Sequence, residues 1–280
     1  MAVLLGLTSA LVYGAADFLG GLASRRSTAY AVVVWSQFAG LILLLAAVVV
    51  MGDPLPGRAD LAWGVLGGVG GGGGVVLLYR GLAVGRMSVV APTAAVGGAS
   101  LPVLVGILLG ERPSPLALAG VVVALAAIVL VSSSSVIAEE HRTNRVPPGL
   151  FEAIGAGIGF ALFFVSLDNV AIEAGLWPLL AARVSIVVAA VAGVATRSSL
   201  RPARADVSSI VLVGIADMLA NLLYLLASRR GMLSIVAVLV SLYPASTVLL
   251  ARVVLHERLS GRQVIGLVAA AIGVVLIAGA

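Results

Sequence analysis

The chain has no cysteine, no lysine and two histidines, and only 10% of its 280 residues are charged. Without cysteine there is no disulfide, no thiolate nucleophile and no Cys-ligated metal. The histidines, His141 and His256, are far apart and neither has a second histidine at ligand spacing, so no metal site is expected. Position 260 is Ser, which removes a zinc-protease reading of His256-Glu257. Scarce charge against 61% hydrophobic residues and a mean hydropathy of +1.19 excludes a water-soluble surface. The apolar runs are continuous and do not alternate with polar residues, which argues against a β-barrel and for helices that satisfy their own backbone in hydrocarbon. All positive charge is arginine, placed singly or in pairs between apolar runs. That pattern reads as topology signals and head-group contacts, not as a nucleic-acid surface.

What the chain does have is a repeat. Ser88–Ser134 overlays Ser234–Ala280 without a gap, matching at Ser88/Ser234, Ala91/Ala237, Ser100/Ser246, Leu109/Leu255, Glu111/Glu257, Arg112/Arg258, Ser114/Ser260 and Gly120/Gly266. The constant offset of 146 residues indicates one unit used twice. Around it lie ten apolar runs: Ala2–Ala23, Tyr30–Met51, Leu61–Leu82, Met87–Leu109, Leu116–Val131, Gly149–Ala171, Leu176–Thr196, Val207–Ser228, Leu233–Leu255 and Gln263–Ala280. At about 20 residues per spanning helix these use nearly the whole chain and leave no room for a soluble catalytic domain. The expected fold is an all-α integral membrane protein, with repeats at 1–134 and 148–280 and a polar linker at 135–147. Five spans per repeat is odd, so the two copies are inverted in the bilayer.

Two local patterns invite other readings. The first run resembles a signal peptide in length, but it lacks a basic start and contains Asp17. Gly68-Val69-Gly70-Gly71-Gly72-Gly73 matches a dinucleotide fingerprint in letters, yet no strand or acidic partner accompanies it. Close helix–helix contact is the better account of these glycines.

The paired hinges Gly110-Glu111-Arg112 and His256-Glu257-Arg258, each followed by a Gly-containing last span, and the serines Ser88 and Ser234 opening each fourth span resemble the EamA-type members of the drug/metabolite transporter superfamily. The resemblance covers the whole chain. It implies a transporter of a small molecule, without a cofactor, whose cavity is lined mainly by the first, third and fourth spans of each half, with the fifth spans peripheral, and whose termini are cytoplasmic. By position it implicates the runs holding Tyr13, Asp17, Thr93, Asp217, Asn221 and Tyr224.

Ionisable groups within spans need a reason, since Asp or Arg near the bilayer centre costs at least ~2.5 kcal/mol. Asp217 lies midway along its run, with Asn221 and Tyr224 following at i+4 and i+7 on one helical face. This row reads either as a substrate or proton site or as an interhelical hydrogen-bond clamp. Asp17, one turn beyond Tyr13, reads either as a binding or gating group or as a cap or ion-pair partner. Arg183, whose repeat mate is Gln37, must pair, with Asp217 or Asp168 as candidates, and a structural role is expected for it. Glu111, Arg112, Glu257 and Arg258 are expected to cap helix ends and tighten the hinges. Pro92, Pro102 and Pro244 are expected to interrupt the fourth spans. Trp35, Trp63 and Trp177 fall near span ends, as interfacial anchors do.

The reading is a secondary transporter in the cell membrane that moves a small polar or amphipathic solute, a metabolite or drug exporter, by alternating access, driven either by an ion gradient, with protons through Asp217 or Asp17 as the first candidate, or by the solute's own gradient. The alternative is a non-transporting scaffold or lipid-handling subunit on the same fold. An intramembrane enzyme lacks any nucleophile, paired-Asp or metal arrangement in the spans. For orientation, Arg58, Arg112, Arg229 and Arg230 fall in loops on the N-terminal side, against eleven arginines in loops on the other. The positive-inside rule thus puts both termini outside, opposite to what the resemblance implies. By that rule a reporter fused after Ala280 is active only outside the cytoplasm; activity inside would reverse the assignment.

Overall fold

The computed structural model describes residues 1–85, 87–132, 148–254 and 260–280. Glu257, Arg258, both histidines and the linker at 135–147 lie outside the described residues. Ten helical spans follow in order: α1 (Ala2–Ala23), α2 (Ala29–Met51), α3 (Arg58–Val84), α4 (Met87–Leu108), α5 (Pro115–Ser132), α6 (Leu150–Asp168), α7 (Trp177–Ala195), α8 (Val207–Ser228), α9 (Leu233–Val254) and α10 (Gly261–Ala278). Eight are long and apolar enough to cross a bilayer, and the apolar runs Thr93–Leu108 in α4 and Pro115–Val131 in α5 are shorter. No strand occurs among the described residues.

Local chemistry sets the helix ends. Thr28 caps α2 by accepting from the Ala31 N–H at 3.1 Å, and the helix ends at Gly52 with φ 64°. Ser260 and Gln263 form a reciprocal capping box on α10. Two spans change course midway. In α7 the α-helical runs Trp177–Ala181 and Ser185–Ala195 are joined by a 3-10 turn, Ala182–Val184. In α9 the runs Leu233–Val240 and Tyr243–Val254 are separated at Ser241 and Leu242. Pro244 accounts for that break, since its ring would strike the carbonyl four residues back, at Val240. The expected interruption of the other fourth span is not found: α4 runs continuously through Pro92 and Pro102.

Polarity is arranged inside out. On α2, Val49 and Val50 are 79% and 85% exposed while Gln37 is 6% exposed, which suits a solvent of lipid tails. Between the halves, α3 lies antiparallel to α6: Gly67 meets Phe163, Gly74 meets Phe160, and Gly81 meets Glu152. α5 lies antiparallel to α10, with Gly120 against Ile277 and Gly266 against Leu130. These crossings are those of two inverted five-helix repeats.

The inversion is sharpest at two glycines that are repeat mates, Gly68 and Gly214. A Cβ on Gly68 would lie 2.2 Å from the Ala182 carbonyl oxygen, and one on Gly214 would lie 2.0 Å from that of Ser36, itself the mate of Ala182. Thus α3 crosses α7 and α8 crosses α2 at backbone contact, the same contact made twice. The glycine run packs helices, with Gly64, Gly68 and Gly72 on α7 and Gly67, Gly70 and Gly74 on α6. Gly73, by contrast, has nothing within 4 Å of a built Cβ. Gly68→Ala and Gly214→Ala should each destabilise by about 1–3 kcal/mol through overpacking. Gly73→Ala should be neutral or stabilising by up to about 1 kcal/mol through helix propensity. Thermal unfolding in detergent, followed by helical circular dichroism, ranks the three.

Candidate functional site

The glycine crossings leave a polar cavity at the seam of the halves. α1 supplies Tyr13 and Asp17, α2 supplies Gln37, α7 supplies Arg183 and Ser185, and α8 supplies Asp217 and Asn221. The cavity volume is about 60 Å³. At roughly 10–15 Å³ per water position, that holds a few water molecules. The remaining wall is mostly glycine and aromatic, from Gly68, Gly71 and Gly72 of α3, Phe160, Phe163 and Phe164 of α6, and Tyr79 and Tyr243, with Val75, Leu179 and Ala182 completing it.

One network ties the polar side together. Arg183 lies 3.5 Å from Asp217 Oδ2 and also donates to Gln37 Oε1. Gln37 Nε2 donates to Asp217 Oδ2 at 3.0 Å, and Asn221 Nδ2 donates to the same oxygen at 3.0 Å. Tyr13 donates its hydroxyl to Asn221 Oδ1 at 2.8 Å, and Ser185 Oγ donates to Gln37 Oε1 at 3.2 Å. The network links two spans of the first half, α1 and α2, with two of the second, α7 and α8: Arg183 pairs with Asp217 within its own half, and the repeat mates Gln37 and Arg183 touch across the seam. The 3-10 turn of α7 is what presents Arg183 here, because Ala182 on that turn is pinned by Gly68.

Asp17 stands apart. It lines the same cavity, partly buried, and among the described residues it makes no hydrogen bond or ion pair. The Tyr79 side chain reaches α1 one turn further on, where its hydroxyl oxygen lies 2.3 Å from a Cβ built on Gly20.

Of the other sequence-derived residues, Tyr224 is fully buried beneath the cavity, donating to the Phe164 carbonyl at 2.8 Å with its ring 4.6 Å from that of Phe164. Thr93 is partly buried on α4 and does not border the cavity. Glu111 accepts from the Leu233 and Ser234 N–H groups at 2.6 and 3.0 Å, so the hinge of the first half caps the fourth span of the second. Arg112 is exposed. The second span of each half also reaches the cavity, through Gln37 and Arg183. Four polar side chains of the lining are not among the sequence-derived site residues: Gln37, Tyr79, Ser185 and Tyr243. The signal for Gln37 was its 146-residue offset from Arg183; Tyr79 was masked by its neighbour Arg80, which sits within α3, not in a loop, and bonds the Tyr30 hydroxyl at 3.1 Å.

Removing one member of a buried ion pair strands the other, at a cost of about 3–5 kcal/mol, whereas replacing both with apolar groups is near neutral. Arg183→Met and Asp217→Leu should therefore each destabilise strongly, and the double variant should be more stable than either single one. Unfolding midpoints that add without coupling would deny the pair.

The sequence profile of the EamA-like transporter family matches residues 1–133 and again 147–279. A solved crystal structure overlays 99% of the chain and 98% of its own length with a TM-score of 0.77 at 20% identity, a likeness of fold. No curated protein sequence matches the chain. With two matched repeats, ten spans in inverted halves and a polar cavity at their seam, the chain belongs to the EamA-like transporter family.

Proposed function

We propose that the chain is a secondary active transporter that carries a small polar or amphipathic solute across the cell membrane by alternating access, as an exporter of metabolites or drugs. The observation that carries this reading is the cavity itself, walled by both inverted halves and lined by ionisable side chains at the seam. A seam between inverted repeats is where rocking of one half against the other exposes the same groups to each side in turn.

Both ends of the seam are tied by bonds between halves. On the face of the N-terminus, Glu111 holds the start of α9, the Asp53 carboxylate accepts from the Leu176 N–H at 3.0 Å, and Asp60 accepts from the Ala171 N–H at 2.9 Å. On the opposite face, Ser27 donates to Asp206 at 2.8 Å, Arg26 lies 3.9 Å from Asp206, and Arg80 lies 3.9 Å from Glu152. A cavity of about 60 Å³, tied at both ends, describes an occluded state that must widen to admit a solute. For coupling, Asp17 is the better proton carrier: Asp217 is engaged by Arg183, Gln37 and Asn221, whereas Asp17 is unengaged and can take up and release a proton without breaking a network.

The absence of native cysteine makes the test direct. Val75→Cys puts a single thiol in the cavity wall. In vesicles of known sidedness, alternating access requires that a membrane-impermeant maleimide label it from either side. Labelling from one side only, or from neither, would favour a scaffold or lipid-handling role instead.

A further inference from the structure

The cavity's charges do not balance. Asp217 is neutralised by Arg183, and Asp17 adds a second carboxylate with no partner among the described residues. Among the described residues Arg183 is the only basic one lining the cavity, and its guanidinium is already shared between Asp217 and Gln37. An unpaired carboxylate away from water either takes up a proton or binds a cation, so Asp17 offers a place where a cationic group from outside the chain can displace that proton.

The rest of the wall says what that charge is attached to. Tyr13, Tyr79 and Tyr243 line the cavity together with Phe160 and Phe163. Aromatic faces attract a cation through their quadrupole, and ammonium groups are held in this way by aromatic cages. Phe163 occupies the repeat position of Asp17, so carboxylate and ring come from equivalent places in the two halves. A hydrated metal ion would meet too few oxygens here: among the described residues no cluster of three His, Cys, Asp or Glu side chains could hold one.

We propose that Asp17 and these rings form a recognition site for an organic monocation, an amine or quaternary ammonium with an apolar body. A zwitterionic amino acid fits less well, since its carboxylate would have to take Arg183 away from Asp217. An organic anion would face two carboxylates. That such a cation is the cargo rests on the transport reading above; the binding site itself does not.

Three compounds sharing a benzene ring test the charge rule: phenethylamine, phenylalanine and 3-phenylpropionate. By calorimetry on the purified protein in detergent, with empty micelles subtracted, phenethylamine should bind at least ten-fold more tightly than the other two. Asp17→Asn should weaken it at least ten-fold while Asp17→Glu retains most of the affinity, both variants eluting monodisperse with unchanged unfolding midpoints. Equal binding of phenylalanine or phenylpropionate to the wild type, or an Asp17→Asn variant with undiminished phenethylamine affinity, overturns the site. If Asp17→Asn does not fold, the three-compound ranking on wild type and Asp17→Glu decides alone. Flux into proteoliposomes separates the two ideas: amine binding without amine flux keeps the site and removes transport, while flux of an uncharged solute without amine binding removes the site and keeps transport.

Discussion

A guanidinium in the middle of a bilayer has to find a carboxylate, and Arg183 finds Asp217 with Gln37 bridging them. Much else in the structure follows from placing those three groups within reach. Arg183 is on the seventh span and Gln37 on the second, so the two halves must meet back to back at this level. For the helices to come that close, their crossings need residues without side chains, and Gly68 and Gly214 supply them at equivalent points. For Arg183 to face inward while Ala182 meets Gly68, the seventh span tightens to a 3-10 turn over three residues. A tight crossing and a buried ion pair are thus two aspects of one junction.

The repeat is faithful in backbone and unfaithful in chemistry. Gly68 and Gly214 make the same contact, as do the antiparallel fifth and tenth spans with each other. Yet the mates of Asp217 and Asn221 are Gly71 and Val75, and the mates of Tyr13 and Asp17 are Gly159 and Phe163. The first and eighth spans therefore carry the polar wall, and the third and sixth carry the glycine and aromatic wall. A symmetric frame has become a cavity with two unlike sides, which is what orienting an amphipathic solute requires.

Much of this was legible in the sequence because the solvent is lipid. Hydrocarbon allows one backbone solution, so ten apolar runs give ten helices, and an odd repeat gives inversion. It also makes each charge within a span conspicuous, and Asp17, Arg183 and Asp217 were visible on that ground alone. Gln37, Ser185, Tyr79 and Tyr243 were less visible, since uncharged polar and aromatic residues sit in spans at little cost and reveal a partner only when helices are paired. Proline was misleading for a related reason. Its effect depends on whether neighbouring groups take up the freed carbonyl, and α4 stays continuous where α9 does not. Trp35 and Trp177 fall near span ends as interfacial anchors do, but each also donates to a loop carbonyl of the opposite half, at Leu200 and Asp53. No periodicity could have shown that.

The distribution of bonds along the seam bears on how the halves would move. At each face the ties are a handful of hydrogen bonds and ion pairs near water, worth about 0.5–1.5 kcal/mol apiece for the former and about 0–1 kcal/mol for the latter. A few of these sum to the few kcal/mol that separate states populated at 0.1–10%. At the midplane the contact is different in kind: backbone lies on backbone at Gly68 and Gly214, with no side chain to rotate away. Closer approach there is blocked by sterics, and separation would withdraw Gln37 from the buried Arg183–Asp217 pair. Under the proposed alternating access, the inexpensive motion would be a tilt about the two glycine crossings, parting the ties of one face while those of the other hold. Asp17 lies beside that pivot but outside the network that fixes it, so a charge arriving there changes the electrostatics of the cavity without dismantling the fulcrum.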